Sequence, residues 1–143
     1  MDESNEARSR VMRLAGRDPF LAHLGVTCLD GGPGRAAVAL TLRDEHINFN
    51  GTCHGGVIFT LADTAFGLGA NSHGYIAAGI DAHITYQVSA KAGDTVTATS
   101  VEVSRSRKIA VYRVDVTRGD GTVLSVFTGT VYITTKPNEP AQA

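Results

Sequence analysis

Apolar and polar positions alternate along most of this chain, and the alternation breaks over 57–70, where apolar residues crowd one helical stretch. Alternation with period two sends successive side chains to opposite faces of a strand, whereas a helix repeats every three to four residues. Four segments of alternating or β-branched character, 78–89, 94–104, 109–118 and 122–135, predict strands separated by turns containing AKAGD, SRSRK and RGDG. Upstream, LGVTCLD and GRAAVALTL predict two more strands around the DGGPG turn. Residues 4–15 set Val11, Met12, Leu14 and Ala15 against Glu6, Arg8, Arg10 and Arg13, which predicts a short surface helix, a lid or brace, ended by GRDPF. Short turns between sequential strands imply antiparallel neighbours. The expectation is an α+β domain of about six strands and one long helix over 20–135, preceded by a helix and turn at 1–19 and followed by a flexible tail at 136–143.

The long helix is apolar around most of its circumference. Val57, Ile58, Phe59, Leu61, Ala62, Ala65, Phe66, Leu68 and Ala70 leave a narrow polar stripe of Thr60, Asp63, Thr64 and Asn71. Such a helix must be nearly enclosed, so the antiparallel sheet is expected to wrap it in the arrangement called a hotdog. A chain of 143 residues suits one such domain.

Charge narrows the partners. Thirteen Lys and Arg against fourteen Asp and Glu give a net charge of -1, so no global field recruits nucleic acid or an anionic membrane. The charged opening MDESNEARSR lacks the apolar core of a signal peptide, and the apolar stretch 57–70 is too short to span a bilayer, so a cytoplasmic protein is expected. Cys28 and Cys53 are read as reduced thiols.

Candidate chemistry starts from the stripe. Asp63 has no cation three or four residues away and stands among large apolar neighbours, so its carboxylate must be costly or shifted in pKa. Such groups mark sites. Just upstream, Gly55 and Gly56 open the helix with N–H groups that have no intrahelical partner, at the positive end of the helix dipole. An oxyanion would fit there. Donors for a carbonyl oxygen together with a carboxylate resemble an acyl-transfer site. Gly55 and Asp63 are eight residues apart, which is about 12 Å of helical rise. Both must lie near one carbonyl group, so joint action requires Asp63 to face Gly55 of a second subunit across a two-fold axis.

The segment NFNGTCHGGVIFTLADTAFGLGANS, with GIDAHITYQVSAKAGD after it, resembles the hotdog-fold acyl-CoA thioesterases, most closely those of phenylacetic acid degradation, over about residues 20–134. The resemblance implies Asp63 as base or nucleophile, the Gly55 N–H as carbonyl polariser, Asn48 as the residue positioning water or thioester, and His54 as the shaper of the helix start. It implies an acyl-CoA substrate of phenylacetyl or hydroxyphenylacetyl type, no cofactor, and a homodimer or a homotetramer built as a dimer of dimers. Gly79 stands where related enzymes carry a serine, and Asp81 or His83 on the same strand is the expected water holder instead.

Other polar groups have plainer readings. Cys53 beside His54 is expected to be a small buried side chain, because neighbours on a turn seldom meet as nucleophile and base. His46, His54, His73 and His83 with Asp81 lack metal-ligand spacing, so no metal is expected. Arg105, Arg107 and Lys108 of SRSRK are candidate contacts for the coenzyme A phosphates. Two rivals remain at this stage: a hydratase or dehydratase on the same fold, whose proline-rich pattern HINFNG lacks, and a non-catalytic acyl-CoA binding module, which would not need Asp63.

Overall fold

The computed structural model describes residues 2–141. Helices α1 (Glu3–Gly16) and α2 (Pro19–Leu24) precede strands β1 (Thr27–Gly32) and β2 (Arg35–Thr41); helix α3 (Gly55–Asn71) follows, and strands β3 (Tyr75–Tyr86), β4 (Thr95–Arg105), β5 (Ile109–Arg118) and β6 (Val123–Pro137) complete the chain. The six strands form one sheet in the order β1, β2, β4, β5, β6, β3, with every neighbouring pair antiparallel. Helix α3 touches all six. This is the hotdog arrangement expected from the enclosed helix.

The rotation of α3 follows from its sequence. At about 100° per residue, Ile58, Leu61, Ala62, Ala65, Phe66 and Gly69 share one arc, and all are buried. Gly56 and Asp63 lie on the opposite side and are exposed, with Thr60, Thr64 and Gly67 between exposed and buried. The buried arc is locked by close backbone approaches. A Cβ on Gly129 would stand 2.8 Å from the Phe66 ring and 2.9 Å from Phe127, and one on Gly79 would stand 3.0 Å from Phe66. Phe66 therefore rests on bare strand backbone. At Gly69 a Cβ would meet Ser100 Oγ at 2.5 Å, and that hydroxyl donates to Ala65 O at 2.6 Å while accepting from Ala36 N at 3.1 Å.

Several expectations need correction. The GRDPF segment does end α1, but it also starts α2: Asp18 Oδ1 accepts from Phe20 N at 3.0 Å, and Pro19 fits the first helical turn, where a missing N–H costs nothing. Of the two roles expected for the N-terminal helix, lid or brace, its packing is that of a brace, because Val11 is fully buried against Gly31, where a Cβ would lie 2.6 Å away. Residues 27–32 form β1 through Gly31 and Gly32, so the hairpin turn is Pro33 and Gly34 alone. Of the tail expected to be flexible, Asn138 Nδ2 donates to Asn71 O at 2.7 Å and Glu139 takes two 2.9 Å hydrogen bonds from Arg13. Residues 142 and 143 lie outside the described residues.

Gly129→Ala is expected to lower the unfolding free energy by about 1–3 kcal/mol, as overpacking against rigid rings does. Urea denaturation would read this, and Phe66→Leu in the same chain should restore part of the loss. An unchanged midpoint for Gly129→Ala would show that α3 is not seated through Phe66.

Candidate active site

The N-terminus of α3 is assembled by His54 and the loop before it. His54 caps the helix, its Nδ1 accepting the Gly56 N–H at 2.8 Å. Gly56 is thus removed as a free donor. The Gly55 N–H has no partner among the described residues, so it remains available to an acceptor from outside the chain. Asn48 has a divided role: Oδ1 accepts from Asn50 N at 2.9 Å, Thr52 N at 3.2 Å and Thr52 Oγ1 at 3.3 Å, while Nδ2 has no partner among the described residues. A network of this kind assigns the amide orientation. Asn48, Gly55, Ile58, Tyr86, Ser89 and Ser125 line a cavity of about 270 Å³.

Asp63 lines another one. Leu14, Phe20, Leu21, Phe59 and Leu68 wall a groove of about 590 Å³ between α3 and the N-terminal helices, and Asp63 stands in it. Two other members of the stripe are satisfied locally: Thr60 Oγ1 donates to Gly56 O at 2.8 Å, and Asn71 exchanges bonds with Ala77 N and O at 3.1 and 3.0 Å. Asp63, the one charged member, has neither a side-chain hydrogen bond nor an ion pair among the described residues. By area it is an exposed residue, yet its pKa is raised by desolvation, because one flank meets water and the other faces the apolar groove. A further cavity of about 780 Å³, lined by Arg10, Arg13, Arg17 and Glu139, reaches neither Asp63 nor Gly55.

The remaining expected site residues separate into groups. Asp81 and His83 pair across the strand with Thr130 and Thr128, whereas their neighbours Ala82 and Ile84 oppose buried Gly129 and Phe127. Partners directly opposite share a face. The register shift between Gly79 and Asp81 therefore puts Asp81 and His83 on the sheet's outer face, away from α3, and the expectation that either holds a water beside Asp63 is corrected. The serine position is filled differently, since Gly79 makes room for Phe66. At the β4–β5 turn, Arg105 is held 3.5 Å from Glu102, which also takes bonds from His73 and Tyr112. Arg107 and Lys108 are exposed, with no carboxylate partner among the described residues.

Cys53 is buried and its thiol is pushed up to about 11 by that burial, so it is no nucleophile at neutral pH. Both cysteines are free. Among the described residues no three His, Cys, Asp or Glu side chains converge as metal ligands, and no helix is long and apolar enough to cross a membrane. Tyr86 is the residue that sequence reading missed: its ring packs at 3.5 Å from the Cβ position of Gly55, and its hydroxyl donates to Gly55 O at 3.3 Å. Nothing in the strand pattern distinguishes it from an ordinary alternating aromatic.

Known proteins share this fold. The model of the thioesterase superfamily matches residues 50–125. The structure of the Escherichia coli PaaI protein from the phenylacetic acid degradation operon superposes with a TM-score of 0.92 at 27% identity, covering 95% of this chain and 99% of that one. A mutant of the phenylacetic acid degradation protein PaaI from Thermus thermophilus is 42% identical, with a TM-score of 0.78 over 80% of this chain and 98% of its own. A Streptococcus mutans protein solved bound to acetyl-CoA is 31% identical, with a TM-score of 0.75 over 79% of this chain and 91% of its own.

The unpaired carboxylate has a consequence for stability. Because the folded pKa of Asp63 lies above its unfolded value, the linked stability is fully present below the ordinary aspartate pKa and is lost as pH rises through the raised one. Asp63→Asn should therefore raise Tm at neutral pH, with the gap closing as the solution is acidified below the ordinary aspartate range. A variant less stable than wild type at neutral pH would reveal an attractive partner for Asp63.

Proposed function

Since the chain belongs to the thioesterase superfamily and is a hotdog-fold thioester hydrolase, we propose that it hydrolyses acyl-CoA thioesters, of phenylacetyl or hydroxyphenylacetyl type, in the cytoplasm at a site shared between two protomers. One observation carries the reading. The free N–H of Gly55 and the unpaired carboxylate of Asp63 line different cavities of one chain, which supports a site completed by a second chain.

The sheet supplies a means of joining them. Strand β3 is an edge of 12 residues with Tyr75, Ile76, Ile80 and Tyr86 exposed, and a long bare edge is a template for pairing. Antiparallel pairing of two β3 strands about a two-fold axis sets the Tyr86 end of one beside the Tyr75 end of the other. Tyr86 adjoins Gly55, while Tyr75 follows the C-terminal half of the partner's α3, where its Asp63 groove lies. The homodimer is the minimal active unit, and two dimers can join as a homotetramer without adding a catalytic group.

In the joined site the Gly55 N–H and Asn48 Nδ2 hold the thioester oxygen, and Asp63 from the other chain acts on a water in its groove. Water oxygen bonds to the carbonyl carbon as its proton passes to Asp63, and the carbonyl electrons move onto the oxygen facing Gly55. Collapse of this intermediate breaks the C–S bond, and the departing sulfur takes the proton back from Asp63. The raised pKa of Asp63 makes it a stronger base, and Gly79 offers no hydroxyl to intervene. The turn bearing Arg107 and Lys108 meets the coenzyme A phosphates: Ile133 N donates to Lys108 O at 2.7 Å, which puts that turn beside the Tyr75 end of β3.

Asp63→Asn should lower kcat at least about a hundredfold with coenzyme A binding kept, read as thiol release from phenylacetyl-CoA. Loss of enoyl-CoA absorbance in place of thiol release would favour the hydratase reading. Neutralising Arg107 and Lys108 together should raise KM, reduce its salt dependence and leave kcat nearly unchanged, since a remote phosphate is held equally in ground and transition states. The composite site has a direct test. Refolding an equal mixture of Asp63→Asn and Gly55→Val chains makes about half the dimers mixed, each with one intact site of two, so about a quarter of normal activity should return from two inactive parents. A mixture as inactive as its parents, with dimerisation of Gly55→Val verified, would place the whole site within one chain.

A further inference from the structure

Phe49 is 96% exposed, yet the loop that carries it is tightly built. Besides the three bonds to Asn48 Oδ1, Asn48 N donates to Thr52 O at 2.8 Å and Gly51 N to Asn48 O at 3.1 Å, with Gly51 at a φ of 78° that a side chain would resist. Ile47 and Cys53 bridge the base of the loop, and Cys53 N is anchored on Ala90 O at 2.8 Å. A phenyl ring is thus presented to solvent on a frame whose ordering cost is already met in the free chain. Rigid aromatic groups of this kind bury about 150–250 Å² when covered and lose little entropy in doing so.

A single exposed apolar side chain is ordinary on a protein surface. The position of Phe49 is not. Its neighbour Asn48 lines the Gly55 cavity, while the Phe49 ring is not part of that lining and stands in solvent beside it. In the composite site, what lies beyond the rim of that cavity is the partner's groove, which Phe20 and Phe59 line together with Asp63, Leu14 and Leu68. At about 590 Å³ the groove is of the size that holds small ligands, but it is open to water on the single chain.

We propose that Phe49 of one protomer roofs the Asp63 groove of the other and, with that groove's Phe20 and Phe59, forms a slot selective for an aromatic acyl group. The inference rests on the composite-site reading and adds the residue that sets acyl preference. An aromatic ring between aromatic walls gains offset or edge contacts that a short aliphatic chain cannot make. A pocket contact of this type discriminates by about 10- to 200-fold.

The test compares wild type, Phe49→Ala and Phe49→Tyr on phenylacetyl-CoA and butyryl-CoA, with dimer mass followed by sedimentation. Phe49→Ala should lose about 10-fold or more in kcat/KM on phenylacetyl-CoA and less than about 3-fold on butyryl-CoA while remaining dimeric, and Phe49→Tyr, which keeps the ring, should retain the wild-type preference. Equal losses on both substrates would overturn the proposal, as would unchanged kinetics or a loss of preference in Phe49→Tyr. Dissociation of the Phe49→Ala dimer would also overturn it, making Phe49 an interface contact alone. Asp63→Asn, assayed alongside, separates the two levels: if it is inactive on both thioesters while Phe49→Ala behaves as wild type, the hydrolase reading stands and only the selector fails. Wild-type chain that releases thiol from neither substrate would remove the reading itself.

Discussion

The seating of Phe66 on the bare backbone of Gly79 and Gly129 decides where the chemistry can be. It lets α3 sink onto the sheet, and the approach at Gly69 and Ser100 fixes the helix a turn further on. With two contacts on one arc, α3 cannot rotate about its axis without driving a ring or a hydroxyl into backbone. Asp63, on the opposite side of the helix, is then held outward whatever its own solvation prefers. The carboxylate is unpaired because the helix is placed by its apolar side.

The same seating explains why one chain keeps the two proposed half-sites apart. A helix pinned along its length presents its N-terminus at one end and Asp63 eight residues on, and no side-chain rotation closes about 12 Å. Gly55 keeps its N–H free because His54 caps the next residue, and Asn48 keeps its amide group free because only its oxygen is spent on the loop. Donors and base are both ready, and they face different spaces. In the proposed dimer the bare edge of β3 resolves this, since the two-fold that pairs the strands also reverses the helices.

The fold was legible because hydrophobic period reports it directly. The strand at 109–118 appears over Ile109–Arg118, and the enclosed helix was readable from how little polar surface it retains. What escaped notice depends on contacts distant in sequence. The burial of Val11 needs Gly31, the order of Asn138 and Glu139 needs Asn71 and Arg13, and α2 was hidden because Asp-Pro reads equally as the end of one helix and the start of another. At the site, Asp63 and Gly55 were recognisable as costly or permissive residues in unusual settings. Asp81 and His83 were misplaced because one register shift in β3 reverses which side chains face the helix, and alternation alone cannot locate such a shift. Phe49 and Tyr86 carry no local signal at all; only exposure for the one and contact with Gly55 for the other sets them apart.

In the proposed dimer, assembly and basicity are coupled. On the single chain Asp63 already has a raised pKa from the apolar flank of its groove, with no attractive charge to offset it. Covering that groove with a second protomer removes more water from the same carboxylate and pushes the pKa further in the same direction. The proposed dimer, in bringing oxyanion donors to Asp63, would therefore also sharpen the base they work with, and a cation placed beside Asp63 to relieve the desolvation would stabilise the fold while weakening that base. In the proposed site, the unsatisfied acid inside an apolar helix is the condition under which two incomplete cavities, once joined, can deliver water to a thioester.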